Sequence, residues 1–508
     1  MNLTPLTPIT ELYVCHSIPL DNTYRDTFSK KFFPSASAQA SFFISNAKFT
    51  FTNLSPIRLQ NQIRLPVNAD KLYDCNYIVF KNANFSDKYF YAFITKIDFI
   101  NVNMSNITIE IDIMQTWLFD YTIQPCFVER EHVIDDTIGA NLVEDNLETG
   151  TYVFDYAQTI SGLTPCYICL GSTVDLSEFN AVSGALYKNV YSGIQLYAFE
   201  PNEGNVNTIN NAILSLTKAG KSDAIVGIFM CPPTMFETSL LDFNAGKGYA
   251  SVNGYIPKNN KLFTYPYKYL YVSNLDGTSA DYKMEFFSGE NCSFKYGGDY
   301  SMNPSVALIP TNYKGIQNNY DEKIVLSNYP QCAFNVDTFK AWLAQNGSSL
   351  GMSVLSSALN SGVSAGTSLA TGNIAGAGAS AISGLLNIGQ TLAQISDKSK
   401  MPPQAHGSQS NSLNVALGVK NFFIAHKTIT YEFAKQIDDF WSVFGYPVHE
   451  TKVPNTTNRP SWNYVKTLES KITGSIPFND ISQIRSIFDK GFTFWHGNFV
   501  GDYTRGNK

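Results

Sequence analysis

From Ala341 to Ser396 the chain runs for 56 residues without one charged side chain. Charged residues are 15% of the 508-residue sequence. Chance gives such a run about once in ten thousand starting points at that share, which is itself below the roughly 25% of an average domain. Nine of the 34 glycines fall inside it, no proline does, and Trp342 is its only aromatic residue. Large aliphatics are spread through the Ala, Ser and Gly background: Leu350, Met352, Val354, Leu355, Leu359, Val363, Leu369, Ile374, Ile382, Leu385, Leu386, Ile388, Leu392 and Ile395.

A conventional transmembrane helix is excluded, because Asn, Ser and Thr interrupt every stretch of about 18 residues. A flexible linker is excluded by the aliphatics. Two readings remain. The first is a conditional membrane segment: the lack of charge removes the largest cost of entering lipid, roughly 2.5–3.5 kcal/mol per charged residue at the bilayer centre. Three G-x-x-x-G pairs support it: Gly347 with Gly351, Gly362 with Gly366, and Gly372 with Gly376. On a helix that spacing makes a smooth face along which backbones approach closely. The second reading is a low-complexity loop packed against neighbouring subunits. Both hold if the loop is stored in one state and released in another. Lys398 to Asn411, with Pro402 and Pro403, reads as a mobile exit.

The rest of the chain is a β sequence. Ile107, Ile109, Ile111 and Ile113 alternate with Thr108, Glu110, Asp112 and Met114, the period-2 pattern of a half-buried strand. With Tyr91–Val102 and the connection Asn103–Asn106 this predicts a hairpin. Further strands are expected over 11–18, 47–53, 76–81, 152–156, 195–199, 224–230, 268–273, 281–287 and 463–471. Three helices are expected: Asp337–Asn346; Tyr431–Phe444, capped by Thr430; and Asp480–Lys490, capped by Asn479 and stopped by Gly491. The fold class is mainly β (α+β), with barrel or sandwich domains, few short helices and one long Gly/Ala/Ser-rich hydrophobic loop. The expected domains are 1–150, 151–340, the loop 341–415, and an α/β segment 416–508 that returns to complete a β domain.

Composition excludes several functions. Lys plus Arg is 36 and Asp plus Glu is 42, a net charge of −6. That argues against binding nucleic acid through the outer surface. The beginning of the sequence shows no secretory pattern, so synthesis and folding in a cytoplasm are expected. Eight cysteines make no disulfide framework, and Cys166 with Cys169 form a C-x-x-C without the further ligands of a zinc site. They read as buried, reduced strand cysteines. No catalytic motif, cofactor fingerprint or metal-ligand spacing is found. The expectation is therefore no enzyme, no cofactor and no metal.

Three stretches then form a familiar set: Ile18-Pro-Leu-Asp-Asn-Thr-Tyr-Arg-Asp26; Ile111 to Asp120, with Asp112, Gln115-Thr116-Trp117 and Asp120, followed by Phe127–Val133; and Gly491-Phe-Thr-Phe-Trp-His-Gly497. Together they resemble the tail-knob (distal or major tail tube) proteins of small short-tailed phages of Gram-positive bacteria, the Picovirinae-type podophages. The matches bracket the charge-free segment. The resemblance implies a hexameric β-rich tube at the virion tail tip, contacting other tail proteins such as the lower collar. It implies hydrophobic loops that plug the tube at rest. Those loops would leave on infection, enter the host cytoplasmic membrane and form a pore for genome passage. Segment 341–396 lies where that loop belongs. A low charge suits a subunit with two flanks to bury. A net-negative chain suits DNA sliding through without specific binding. The alternatives are a host-wall-binding adhesin, whose binding would survive deletion of the glycine-rich segment, or a cell-wall-degrading tail enzyme, which leaves residues 341–396 unexplained. Trp117 is expected to anchor a core where a strand meets a turn. Asp112 and Asp120 are expected to be turn and hydrogen-bonding residues, and Trp495-His496 to pack back on the fold.

Overall fold

The computed structural model describes residues 9–332 and 421–508, apart from 29–32, 55, 58–60, 83–87, 161–162, 164–166, 177–192, 201–202, 233, 235–236, 238, 300–303, 328 and 330. The fold is mainly β. The chain divides into two compact units, one of residues 1–147, 258–261 and 436–508, the other of 148–257 and 262–435.

The first unit is built on a seven-stranded antiparallel sheet. Its order is Ala47–Leu54, Ile9–His16, Cys75–Asn82, Tyr89–Asn101, Met104–Ile111, Gln62–Leu65 and Pro56–Ile57. Successive strand residues face opposite sides. Leu12, Val14, Ile78, Ala92 and Ile107 enter one core, and Cys15, Tyr77, Val79, Tyr91 and Phe93 enter the other. Burial on both faces explains why Cys75–Phe80 reads as a nearly continuous apolar run. A second sheet orders Thr27–Phe28, Phe492–Trp495, Trp462–Leu468, Cys126–Glu131 and Tyr446–Lys452. Early and C-terminal strands therefore share one sheet.

The expected hairpin is present, with Tyr89–Asn101 paired to Met104–Ile111. Its second strand stops earlier than the isoleucine alternation suggests. Asp112 takes an extended conformation and caps a helical turn, Ile113–Thr116, by accepting from Gln115 N–H at 3.0 Å. The cap ends the strand before Ile113 can continue it. The helix expected over 480–490 runs Phe478–Lys490. Pro477, not Asn479, precedes it, and the Pro477 carbonyl accepts from both Asp480 and Ile481. Gly491 ends it at φ 85°.

The described residues of the second unit form three sheets. One orders Tyr152–Thr159, Phe423–Ile429, Lys268–Ser273 and Ser279–Tyr282. Another orders Gln195–Phe199, Tyr167–Ser172, Ile225–Cys231 and Gln331–Cys332. The third contains Leu241–Gly246, Asn291–Asp299, Ser305–Tyr313 and Ile316–Asn318, with Ile324–Leu326 alongside. The strand expected over 281–287 is shorter: after Tyr282 the chain makes a 3-10 turn at Met284–Phe286. Helix Tyr431–Phe444 has its expected bounds. Among the described residues, two helices longer than one turn were not expected. Ala36–Ser45 is capped by Ser35, whose side chain accepts from Ala38 N–H. Glu203–Lys218 contributes Ile209, Ile213 and Leu216 to a core with Ile168, Leu170 and Phe199. Asn, Thr and Gly make it a poor autonomous helix, so tertiary burial of that stripe decides its conformation.

Candidate functional site

The candidate membrane-active residues Leu350, Met352, Val354, Leu355, Leu359, Val363, Leu369, Ile374, Ile382, Leu385, Leu386, Ile388, Leu392 and Ile395 all lie outside the described residues. So do the loop glycines Gly347, Gly351, Gly362, Gly366, Gly372 and Gly376, and the helix expected over Asp337–Asn346. What is described is the pair of roots from which that stretch departs and to which it returns.

On the departing side, Gln331–Cys332 pairs with Ile225–Cys231 through two residue pairs, Ile228↔Cys332 and Phe229↔Gln331. Tyr329, just before it, is buried in the core that contains Phe229 and Cys231. On the returning side, Phe422 and Ile424 enter that same core. The strand Phe423–Ile429 is flanked on both sides, by Tyr152–Thr159 and by Lys268–Ser273. Ahead of it, Asn421 extends the ladder with its side chain. Its Oδ1 accepts from Ile160 N–H at 3.1 Å and from Phe422 N–H at 2.7 Å, and its Nδ2 donates to Ile160 O at 2.7 Å. A side-chain amide has the donor and acceptor of a peptide unit, so Asn421 satisfies the backbone of buried Ile160 where the ladder has ended.

The three familiar stretches meet in one core of the first unit. Ile18, Leu20, Ile113, Met114, Trp117, Leu118, Phe492 and Phe494 share a single cluster. Trp117 is buried as expected, and its Nε1 donates to Asp480 Oδ2 at 2.7 Å. Trp495 Nε1 donates to Asp26 Oδ1 at 3.1 Å, and its ring packs on Trp462 and Tyr503. His496 pairs with Asn463 Oδ1 at 3.0 Å. Asp120 forms an ion pair with Lys88, whose Nζ also sits 4.2 Å from the Trp117 ring centre. Asp112 is fully buried. Besides capping the turn it accepts from the Tyr77 hydroxyl at 2.8 Å, and burial pushes its carboxyl up to about 7 against the lowering pull of these hydrogen bonds.

Sequence reasoning missed a set of buried polar clamps, also in the first unit. Asp145, on the long segment after Glu131, accepts from Arg130 and from Trp441 Nε1, with Lys261 Nζ 3.7 Å away. Lys261 donates to Val143 O at 2.6 Å, and burial pulls its ammonium down to about 8 although Asp145 opposes this. Asp438 accepts from the N–H groups of Lys258 and Asn259 at 2.7 and 2.9 Å. Asp136 accepts from Asn260 N–H and from the Tyr446 hydroxyl. These contacts explain how Lys258–Lys261, a four-residue visit, belongs to the first unit. His132 is buried and neutral: it bonds Ser442 O through Nε2 and accepts from Tyr464 N–H through Nδ1, and burial lowers it to about 3. No local signal marks Asp145 or Asp438: apart from Arg130, the partners named here, Trp441 and Lys261 for Asp145 and Lys258 and Asn259 for Asp438, lie more than a hundred residues away in sequence.

The arrangement holds chain crossings and loop roots in place. Among the described residues no group of three or more His, Cys, Asp or Glu side chains is set to hold a metal ion. None of the described helices is long and apolar enough to cross a membrane.

Comparison with known proteins agrees with this structural emphasis. Residues 234–508, more than half of the chain, match the family described as the C-terminal domain of the tail knob protein gp9 of Bacillus phage phi29. Residues 8–122 match the caudoviral major tail protein N-terminus. Tail knob protein gp9 of Bacillus phage B103 is 25% identical, and that of phi29 is 24% identical; each alignment covers 98% of both chains. The tail knob protein gp12 of bacteriophage C1 has a similar fold, with a TM-score of 0.64 at 15% identity over 98% of both chains.

Proposed function

The chain belongs to the family of the phi29 tail knob protein gp9 and is a structural component of a phage virion tail, and from that premise we propose that it forms a hexameric conduit for DNA ejection, plugged at rest by residues 341–396. On contact with the host, those segments leave the tube, enter the cytoplasmic membrane and line a pore. Other tail proteins seat the ring, and DNA passes without specific contacts.

The observation that carries this reading is the placement of the two roots. The chain leaves at Cys332 and returns at Asn421, with Tyr329 and Phe422 in one core. The segment that contains the charge-free residues 341–396 thus departs from and returns to one core, so the folded unit can keep that core while the segment changes surroundings. Entry into lipid requires every backbone polar group to be satisfied internally. The small-residue pairs Gly347 with Gly351, Gly362 with Gly366, and Gly372 with Gly376 provide for helices packed side by side.

Dye leakage from liposomes tests the proposal, comparing the intact chain with a variant lacking 347–396 over a range of pH. Circular dichroism verifies that both are folded. Leakage by the intact chain alone is the expected result. Leakage by both, or by neither at any pH, overturns the assignment.

A further inference from the structure

Cys169 and Cys231 are 62 positions apart in sequence, yet their sulfurs stand 3.1 Å apart. They lie on neighbouring antiparallel strands, Tyr167–Ser172 and Ile225–Cys231. Cys169 is opposite Phe229, and Cys231 is opposite Tyr167. Opposed residues share a face, as do residues two apart along a strand, so both thiols point to the same side, into the core containing Tyr329 and Phe422. Neither is exposed. The sequence draws attention to Cys166 as the companion of Cys169, but Cys166 lies outside the described residues. The fold supplies Cys231 instead.

We propose that Cys169 and Cys231 are a redox pair that is reduced while the chain is made and closes to a disulfide in the virion. A bonded pair has its sulfurs about 2.05 Å apart, so closure needs an approach of about 1 Å. Cys231 is the last residue of its strand and the last rung of that ladder, where a shift disturbs no later pair. Disulfides are rare in reducing cytoplasm and persist on virions outside the cell, and a tail component passes from the first setting to the second.

The chemistry balances with a small disulfide such as oxidised glutathione. One cysteine thiolate attacks a glutathione sulfur, forming a mixed disulfide and expelling one glutathione thiolate, which takes up the proton that was lost. The second cysteine thiolate attacks the protein sulfur of the mixed disulfide and expels the other glutathione thiolate. Two protein thiols are oxidised, and one glutathione disulfide is reduced to two thiols. The adjacent Cys169 thiol and burial hold the Cys231 thiol well above its ordinary range, so closure is slow near neutral pH and faster in alkali or when the strand end opens. The bond staples the strand that also pairs with Gln331–Cys332, the departing root.

The full chain is incubated natively with oxidised glutathione at pH 8, denatured, alkylated and digested, and the peptides are weighed. The expected result is a Cys169–Cys231 peptide pair two hydrogens lighter than its parts, and two fewer alkylatable thiols among the eight cysteines. Reductant restores both thiols. Cys169→Ser abolishes the linked pair and leaves Cys231 alkylatable; should that variant misfold, the wild-type masses alone decide. Full alkylation of both residues after oxidation overturns the proposal. So does linkage of either residue to Cys166, to Cys292 or stably to glutathione.

Discussion

Asn421→Ala removes the side chain that stands in for a missing rung at the returning root. Three hydrogen bonds disappear, two of them with the backbone of Ile160 and one with Phe422 N–H. Ile160 and Phe422 are both buried, so their polar groups lose partners that water does not readily replace. Each such group left unsatisfied costs about 1–3 kcal/mol. Water admitted at the half-buried position 421 lowers the sum, which leaves about 2–5 kcal/mol of local stability at risk. At about 1.4 kcal/mol per factor of ten, hydrogen exchange at Ile160 and Phe422 is expected to speed up by roughly thirty-fold to a few thousand-fold. Exchange in the seven-stranded sheet of the other unit stays unchanged. Asn421→Asp keeps the accepting oxygen but not the donor to Ile160 O, and falls between the two. Mass-resolved exchange on peptides covering 152–160 and 421–429 reads the effect. Exchange in Asn421→Ala within threefold of the parent, with the fold intact, would refute the argument that this amide locks the root. In the leakage assay the same variant is expected to release dye faster, because the root yields more readily.

Two further perturbations probe the first unit. The Asp112 carboxyl is pushed up to about 7 by burial, so the folded chain holds a proton there that the unfolded chain gives up near pH 4. The associated stability is complete in acid and drains away as pH rises from about 4 to about 7, by up to about 4 kcal/mol at about 1.4 kcal/mol per pH unit. Asp112→Asn keeps an acceptor for Gln115 N–H without a charge. It should match the parent near pH 4 and exceed it above pH 7 in urea titrations, whereas parallel profiles would sink the reading. Gly445 sits at φ 67°, and a Cβ there would lie 2.2 Å from Glu131 O and 2.6 Å from His132 N. Gly445→Ala combines a left-handed backbone cost of about 1–2 kcal/mol with overpacking of about 1–3 kcal/mol. Its expected loss is about 2–5 kcal/mol by denaturant titration, and a loss under 1 kcal/mol contradicts it.

The sequence was legible where one local rule decides the outcome. The isoleucine alternation gives the hairpin, and Gly445 and Gly491 mark where helices end. It was illegible where the deciding partner is distant. The polar Glu203–Lys218 becomes a helix because Ile209, Ile213 and Leu216 find the strands Tyr167–Ser172 and Gln195–Phe199. Asp145 reads as one acid in a polar stretch until Trp441 and Lys261 arrive. Cys169 points to Cys166 in sequence and to Cys231 in space. Of the candidate site, the roots could be bracketed by composition, but the role of Asn421 depends on Ile160, far away along the chain.

The stretches that carry the family resemblance and the stretch proposed to act differ in what they demand of sequence. Residues 18–26, 111–120 and 491–497 contribute to one closely packed core, where an indole must meet a particular carboxylate: Trp117 with Asp480, Trp495 with Asp26. Such pairs tolerate few replacements, because losing either partner leaves the other buried and unpaired. A segment that must be uncharged, able to pack closely and able to enter lipid meets those demands with many combinations of Gly, Ala, Ser and aliphatics. The core therefore constrains individual residues, whereas residues 341–396 are constrained only in composition. On this view the motifs report which fold supports the segment, and the composition of the segment reports what that fold is for.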